Sequence, residues 1–142
     1  MSALLYLDTS AVIAVLVTEP GSARLQAWLE ARGDATFAIS PWVETEVASA
    51  LSRKIRTGGL TLAQRAEAAA EWRSWRESLA LLPIEPKSFE AAAVSVTRHE
   101  LALRAGDALH LAVSAVHGCT LVTLDGRMAK AAVELGVPVA QV

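Results

Sequence analysis

Cysteine, net charge and long apolar segments are all scarce in this sequence of 142 residues. Its one cysteine, Cys119, has no partner for an internal disulfide, which favours a reducing, cytoplasmic setting. The formal net charge is −2, so the chain as a whole lacks the positive charge of proteins that coat duplex nucleic acid. An uncharged stretch from Leu109 to Leu124 has 16 residues. A membrane span needs roughly 20 apolar residues, so no contact with a membrane is expected.

Apolar residues are abundant by contrast, at 53% of the chain, and many of them are alanine. A chain of this length and composition can bury one sizeable core. No repeat, linker or low-complexity segment divides the sequence. Residues 1–142 are therefore expected to form a single domain.

Short apolar runs alternate with helical patterns along the chain. The runs at about 3–7, 35–39, 81–84, 120–124 and 137–139 predict buried strands. The segments between them predict helices at about 11–16, 23–31, 41–57, 61–80, 88–100, 106–117 and 127–135. Strands separated by helices imply crossover connections. The expected fold class is α/β, with a central, mainly parallel sheet of four to five strands between layers of helices.

Four acidic residues stand where such a sheet would gather them. Asp8 and Asp125 each follow a predicted strand, and ligand sites in parallel sheets lie beyond the carboxyl ends of the strands. Asp107 falls in the first turn of a predicted helix, and Glu46 falls in the first turns of another. Two carboxylates about 4 Å apart repel by about 4 kcal/mol at an effective dielectric near 20, so the cluster requires protons or a cation. Ligands that are all oxygen favour Mg²⁺ or Mn²⁺, and such an ion suits phosphodiester chemistry.

Each acid also has a purely structural interpretation. Asp8 or Asp107 could cap a helix, Asp125 could form a turn with Gly126, and Glu46 could simply be solvated. Glu44 competes with Glu46 as the second acid, because both glutamates flank the apolar stripe of the same helix. The combination of four acids is more specific than any one of them.

Four segments resemble the motifs of PIN-domain proteins, in the same order and over nearly the whole chain. These segments are Tyr6–Ser10, Glu46–Leu51, Arg104–Ala112, and Leu121–Asp125 followed by Arg127 and Ala131. The length and the two-helix excursion through Gly58 to Leu82 resemble the VapC branch, the toxin ribonucleases of bacterial and archaeal toxin–antitoxin pairs. Family members often carry an aromatic residue where this chain has Gly106, so the packing beside Asp107 is expected to differ.

The resemblance implies a three-layer PIN-like domain that acts as an endoribonuclease with Mg²⁺ or Mn²⁺. It also implies a homodimer and a VapB-like antitoxin whose C-terminal segment covers the site. Asp8 and Asp107 would be the principal metal ligands. Glu46 and Asp125 would complete the acidic pocket, directly or through water, with Asp125 as a further metal ligand. Two hydroxyls, those of Thr9 and Thr123, would orient the carboxylates.

Basic residues and histidines leave further alternatives open. Arg53, Lys54 and Arg56 could bind RNA phosphates near the entrance of the site, or could form a solvated helix end that offsets the helix dipole. His110 lies one turn after Asp107 and could act as a base or a ligand. A histidine on an apolar helix is more often packed or hydrogen-bonded.

Other functions compete with the RNA-cleaving toxin. One is a PIN-domain nuclease of RNA processing that has no antitoxin. Another is a non-catalytic binding module that kept the fold, although the presence of all four acids weighs against it. A phospho-accepting receiver domain shares the layered α/β plan. It requires a pair of acids after the first strand, where this chain has Asp8 alone.

Overall fold

A sheet of four parallel strands forms the centre of the molecule, in the spatial order β3-β2-β1-β4. The structure is a computed structural model that describes residues 3–142, so residues 1–2 of the expected domain lie outside it. The strands are β1 (Leu4–Leu7), β2 (Thr36–Ile39), β3 (Ala80–Leu81) and β4 (Thr120–Val122). The predicted α/β class and mainly parallel sheet are confirmed.

Seven α-helices and one 3₁₀ turn surround this sheet in the part of the chain that the structure describes. The helices are α1 (Thr9–Leu16), α2 (Ser22–Glu30), α3 (Pro41–Arg56), α4 (Leu62–Arg76), α5 (Pro86–Val96), α6 (Ala105–Val116) and α7 (Gly126–Glu134). The 3₁₀ turn is His99–Leu101. None of the helices within residues 3–142 is long and apolar enough to cross a membrane.

The expected strand at 137–139 is reduced to a single parallel bridge between Leu121 and Val139. The backbone N–H of Leu121 donates to the carbonyl of Pro138 at 2.8 Å, and that of Ala140 donates to the carbonyl of Leu121 at 2.9 Å. Pro138 has no N–H to donate, so the segment does not extend the ladder. The sheet therefore has four strands and not five.

Two other predicted boundaries are wrong around the third strand. Helix α4 ends at Arg76 and not near residue 80, and β3 occupies Ala80–Leu81 instead of 81–84. The strand pairs with β2 at two positions only, and the backbone N–H of Leu82 makes one more bond, to the carbonyl of Ile39 at 2.8 Å. Pro83 follows and has no N–H, which stops the pairing there.

The central strands are the most deeply buried elements. Tyr6 and Leu7 of β1 and Leu121 and Val122 of β4 have no exposed surface. Helix α6 packs closely against them with seven buried residues in succession, from Ala108 to Ser114. Because β1 and β4 are neighbours and parallel, the residues that follow them emerge at one edge of the sheet.

Candidate active site

The four predicted acids lie at the carboxyl edge of the sheet. Asp8 directly follows β1, and Asp125 stands three residues after β4. Glu46 is the sixth residue of α3, and Asp107 is the third residue of α6, whose N-terminal turns begin at this edge. Asp107 is close enough to Asp125 and Glu46 for both to perturb its pKa. These four residues are called the acidic edge below.

Asp8 is buried and held from three directions. Its Oδ1 accepts hydrogen bonds from Ser10 Oγ at 2.7 Å and from the backbone N–H of Ala11 at 3.0 Å. Its Oδ2 accepts one from Thr123 Oγ1 at 2.5 Å. Burial raises the pKa of Asp8 above its usual 3.8, although the hydrogen bonds and nearby His110 oppose that shift. Asp8 is thus the cap of α1, as one interpretation of the sequence allows.

One carboxylate oxygen of Glu46 accepts hydrogen bonds from other side chains, and the other oxygen accepts none. Oε1 accepts hydrogen bonds from Thr9 Oγ1 at 2.7 Å and from His110 Nε2. Among the described residues, no donor contacts Oε2 of Glu46. Burial opposes ionisation of this carboxyl, but the bonds from His110 and Thr9 outweigh it, so the pKa of Glu46 is lowered.

The competing Glu44 lies elsewhere on the helix. Its Oε1 accepts a hydrogen bond from Arg76 Nη1 at 3.0 Å, in an ion pair whose side chains remain about two-fifths exposed. The pair joins α3 to α4 at the surface. The structure therefore brings Glu46, and not Glu44, to the other acids.

Asp107 and Asp125 accept fewer hydrogen bonds from side chains than Asp8 and Glu46 do. In the described chain no side chain donates a hydrogen bond to either carboxylate. Burial raises the pKa of Asp107, and repulsion from Asp125 adds to the effect. Asp125 caps α7 by accepting from the backbone N–H groups of Arg127 at 3.0 Å and Met128 at 3.3 Å. The capping interpretation of Asp107 is wrong, because the cap position of α6 is Arg104.

The two predicted hydroxyls each contact one acid. Thr9 donates to Glu46, as described above, and Thr123 donates to Asp8. Thr123 Oγ1 also accepts from the backbone N–H of Asp125 at 3.0 Å and lies 3.2 Å from Ser10 Oγ. Thr123 therefore links the residue after β1 to the residue that caps α7.

A buried chain of polar side chains behind Glu46 is absent from the sequence-based predictions. Tyr6 Oη lies 2.8 Å from Ser40 Oγ and 2.7 Å from His110 Nδ1, and the Nε2 of His110 reaches Glu46. The sequence pattern places Tyr6 in a buried strand and in the first motif, and it marks no role for its side chain. Ser40 makes no side-chain cap to α3. The packed, hydrogen-bonded interpretation of His110 is correct, since only 2% of its surface is exposed.

Trp42 occupies the space beside Gly106. A Cβ atom on Gly106 would lie 3.2 Å from Trp42 Nε1, 3.3 Å from Trp42 Cζ2 and 3.2 Å from Glu46 Oε2. Contacts this short require the neighbours to shift. The indole from α3 thus fills the position next to Asp107, which accounts for the expected difference in packing.

The basic residues near Gly58 do not join the acidic edge. Arg53, Lys54 and Arg56 lie in the last turn of α3, and Arg53 is seven residues, about 10 Å along the axis, from Glu46. Lys54 is paired with Glu19 at 2.5 Å. Their contact with RNA stays a prediction.

Two other cations lie nearer to Asp125. Arg24 and Lys130 line a groove of about 310 Å³ that also contains Thr123, Asp125 and the chain from 139 to 142. Neither Arg24 nor Lys130 forms an ion pair with another described residue. No motif marked them in the sequence, since their proximity depends on α2 packing beside the end of β4.

The donor set fits a hard divalent cation in its chemistry. All four side chains are carboxylates, and the pKa of Asp107, raised first by burial, is raised further by repulsion from Asp125 that a cation would relieve. Within residues 3–142, no three His, Cys, Asp or Glu side chains converge closely enough to hold one ion as they stand. Direct binding of one ion by three of these side chains would require them to move closer together.

Residues 5–134 match the family model described as PIN domain. The chain belongs to the PIN domain family. This PIN domain has no significant match among curated proteins.

Several solved structures share the fold of this PIN domain. FitAcB from Neisseria gonorrhoeae is 19% identical, with a TM-score of 0.75 over 96% of each chain. VapC20 from Mycobacterium tuberculosis, described as a Sarcin-Ricin loop cleaving toxin, is 18% identical, with a TM-score of 0.70 over 89% of this chain and 94% of its own. PAE2754 from Pyrobaculum aerophilum is 25% identical, with a TM-score of 0.66 over 91% of this chain and 79% of its own.

Proposed function

We propose that this PIN domain is a metal-dependent endoribonuclease and the toxin of a VapBC-type toxin–antitoxin pair. The observation that carries the proposal is the acidic edge. Four carboxylates from four separate segments of the chain lie at one edge of the sheet, and Asp107 is repelled there by Asp125 and Glu46 unless a cation binds. Such a cluster costs stability, and binding of a divalent ion and a phosphodiester would offset that cost.

The residues of the acidic edge would hold Mg²⁺ or Mn²⁺. Asp8, Asp107 and Asp125 would be the ligands, and Glu46 would complete the site through its free Oε2. When bound, a divalent ion supplies charge neutralisation at the phosphate and a water molecule active as a nucleophile at neutral pH. Thr123 and Thr9 keep Asp8 and Glu46 in place for that ion.

RNA is the proposed substrate on the strength of the fold and of one neighbour's described activity, the cleavage of the Sarcin-Ricin loop. Arg24 and Lys130, in the groove beside Asp125, provide positive charge for the phosphates that flank the cleaved bond. Arg53, Lys54 and Arg56 would contact a more distant part of the RNA. The overall charge of −2 fits a local groove of this kind and not a uniformly basic surface.

An antitoxin partner is proposed because structures of the same fold include a toxin–antitoxin complex from Klebsiella pneumoniae and VapBC-5 from Mycobacterium tuberculosis, described as a member of the VapBC family of toxin–antitoxin systems. A homodimer is proposed because an apolar groove of about 650 Å³ opens between α3, α5 and α6. Phe89 and Val96 in this groove are 57% and 36% exposed, and no charged residue lines it. A toxin of this type would act in the cytoplasm, in keeping with its single buried cysteine.

The test is cleavage of total RNA by the purified protein with Mn²⁺, followed by sequencing of the new RNA ends. Cleavage at defined sites is expected with Mg²⁺ or Mn²⁺ and not with excess chelator. The Asp8→Asn variant, checked for its folded state by circular dichroism, should be inactive. Full activity of that variant, or cleavage that persists without metal, would contradict the proposal.

The same preparation separates the alternatives. Growth arrest that is relieved by co-expression of a small protein encoded next to the gene supports the toxin. Cleavage without growth arrest or relief would indicate an RNA-processing nuclease. Absence of both cleavage and Mn²⁺ binding would indicate a non-catalytic module.

A further inference from the structure

The strongest unassigned feature is the polar chain that runs from Ser40 through Tyr6 and His110 to Glu46. Tyr6 and Ser40 have no exposed surface, and His110 is 2% exposed. Each link is a hydrogen bond, with 2.8 Å between Ser40 Oγ and Tyr6 Oη and 2.7 Å between Tyr6 Oη and His110 Nδ1. Buried polar groups are costly to leave unpaired, so a chain of three in a core of apolar side chains requires a reason.

The hydrogen bonds define where the imidazole proton lies. The carboxylate of Glu46 can only accept, so His110 Nε2 must carry the proton that it shares with Oε1. A neutral ring then has a bare Nδ1, which accepts from the phenol of Tyr6. Tyr6 keeps its proton, because burial raises the pKa of the phenol. Ser40 in turn donates to Tyr6, so every bond in the chain runs towards Glu46.

The same chain decides which oxygen of Glu46 is free. His110 and Thr9 both bond to Oε1, and Oε2 lies on the side of Gly106, next to Asp107. The carboxylate of a solvated glutamate rotates freely and can present either oxygen to a ligand. Fixing it in one orientation costs side-chain entropy. With Oε1 held by two donors, that cost has already been met before a ligand arrives.

We propose that His110 is a positioning residue, which holds Oε1 of Glu46 so that Oε2 is presented to a divalent cation at the acidic edge. Tyr6 and Ser40 fix the tautomer and the orientation of the ring. This inference rests on the proposed function of the acidic edge and assigns His110 no contact with the reacting atoms. It differs from a packing role, which any side chain of similar size would fulfil.

The test compares two amides at position 110 by calorimetric titration with Mn²⁺. In His110→Gln the amide nitrogen reaches about as far as Nε2 and can still donate to Glu46. In His110→Asn the amide reaches only as far as Nδ1, so Glu46 loses its donor. We expect Mn²⁺ affinity to fall about 10- to 100-fold in the Asn variant and to stay within a few-fold of wild type in the Gln variant.

His117→Asn is the matched control. His117 follows the same helix seven residues later and bonds to the carbonyl of Pro83 at 3.0 Å. The identical substitution there should leave Mn²⁺ affinity unchanged. A fall as large as that of His110→Asn would show that the effect comes from helix α6 as a whole, and would overturn the inference.

Nitrogen NMR of the wild-type protein gives a second measurement that needs no variant. The chemical shifts of His110 should show a protonated Nε2 and a bare Nδ1, and Tyr6→Phe should broaden or mix the tautomers. A proton on Nδ1 alone would overturn the inference, even if His110→Asn failed to fold.

Different results would refute the proposed function and the role of His110. If the wild-type protein binds no Mn²⁺ and cleaves no RNA, the proposed function fails, and with it the reason to position Glu46. If the wild-type protein binds Mn²⁺ and the folded His110→Asn variant binds it equally well, only the role of His110 is refuted.

Discussion

The two halves of the acidic edge are built differently. Asp8 and Glu46, the inner acids, are held by hydroxyl and imidazole donors from Ser10, Thr123, Thr9 and His110. Asp107 and Asp125, the outer acids, receive no hydrogen bond from any described side chain. The inner acids are thus oriented by side-chain donors, whereas the outer acids are held only by backbone groups, Asp125 by those of Arg127 and Met128 and Asp107 by that of Arg104.

This difference explains how the fold accommodates the negative charges of four carboxylates. Donors around the inner acids replace the water that burial removes, so these carboxylates keep one geometry without a cation. Repulsion between carboxylates remains at the outer acids. Burial raises the pKa of Asp107 most, and the negative charges of Asp125 and Glu46 raise it further. A cation should therefore move Asp107 more than the inner acids.

The largest expected effect comes from neutralising an outer acid. Asp107→Asn should lower metal-dependent RNA cleavage by at least about a hundredfold, because a principal ligand is lost. The metal-free variant should be no less stable than wild type in a thermal melt, since a repelled carboxylate is removed. Activity near the wild-type level would exclude Asp107 as a ligand.

The pH dependence of that stability follows from the direction of the shift. The pKa of Asp107 in the folded protein lies above the usual 3.8, so the ionised group destabilises the fold at neutral pH. That destabilisation is relieved as pH falls through the raised pKa and is absent below 3.8. Any advantage in melting temperature of metal-free Asp107→Asn over wild type should therefore shrink as pH falls. An advantage that grew on acidification would contradict the assigned direction.

The next effect separates the two glutamates of α3. Glu46→Gln should weaken Mn²⁺ binding and cleavage by about tenfold or more, since Gln replaces the ionised oxygen of an inner acid. Glu44→Gln is the matched control and should leave both unchanged. Its loss of the exposed pair with Arg76 should cost at most about 1 kcal/mol in urea denaturation. The reverse result would make Glu44 the second acid.

A smaller effect is expected where the two halves are joined. Thr123→Val keeps the shape of the side chain but removes the hydroxyl between Asp8 and the backbone of Asp125. Mn²⁺ affinity should fall about tenfold, and the free energy of unfolding should fall by about 1–3 kcal/mol, because a buried acceptor loses its donor. Thr120→Val, at the start of β4, makes a control, since no side-chain bond of Thr120 is found in the described residues. Equal effects of the two substitutions would contradict the linking role.

The smallest effect concerns the contact between Gly106 and the inner acid. In Gly106→Ala the new Cβ should displace Trp42 and Oε2 of Glu46, and weaken Mn²⁺ binding about fivefold. Trp42→Phe removes the atoms nearest to that Cβ, so the double variant should recover part of the loss. Purely additive effects in this double-mutant cycle would show that Trp42 is not what limits the space.

The sequence was most informative where local patterns carry the structure. The apolar runs before Asp8 and Asp125 predicted strands β1 and β4, because a buried parallel strand needs an uninterrupted apolar run. The order of helices and strands then placed both acids at one edge. Glu46 could not be separated from Glu44 in this way, since the choice depends on which side of α3 faces His110 and which faces Arg76.

Contacts between distant segments were beyond such patterns. Tyr6 and His110 are 104 positions apart, and an apolar strand gives no sign that one of its residues turns a hydroxyl towards a helix. The space that Trp42 takes beside Gly106 likewise depends on the packing of α3 against α6. The prediction of the last strand was wrong for a local reason. Val137 and Val139 favour a strand, but Pro138 between them has no N–H for the ladder.

Asp8 caps α1 with the same carboxylate that is proposed to bind metal. In a growth-based selection for loss of toxicity, cells with substitutions at position 8 would survive for two reasons. Some variants would be folded but inactive, and others would be misfolded. Asp107 is not the N-cap residue of α6 and has a single backbone bond, to Arg104, so survivors there would report chiefly on chemistry. A mutational map of this protein should accordingly be read for catalysis at 107 first, and at 8 only beside a measure of soluble protein.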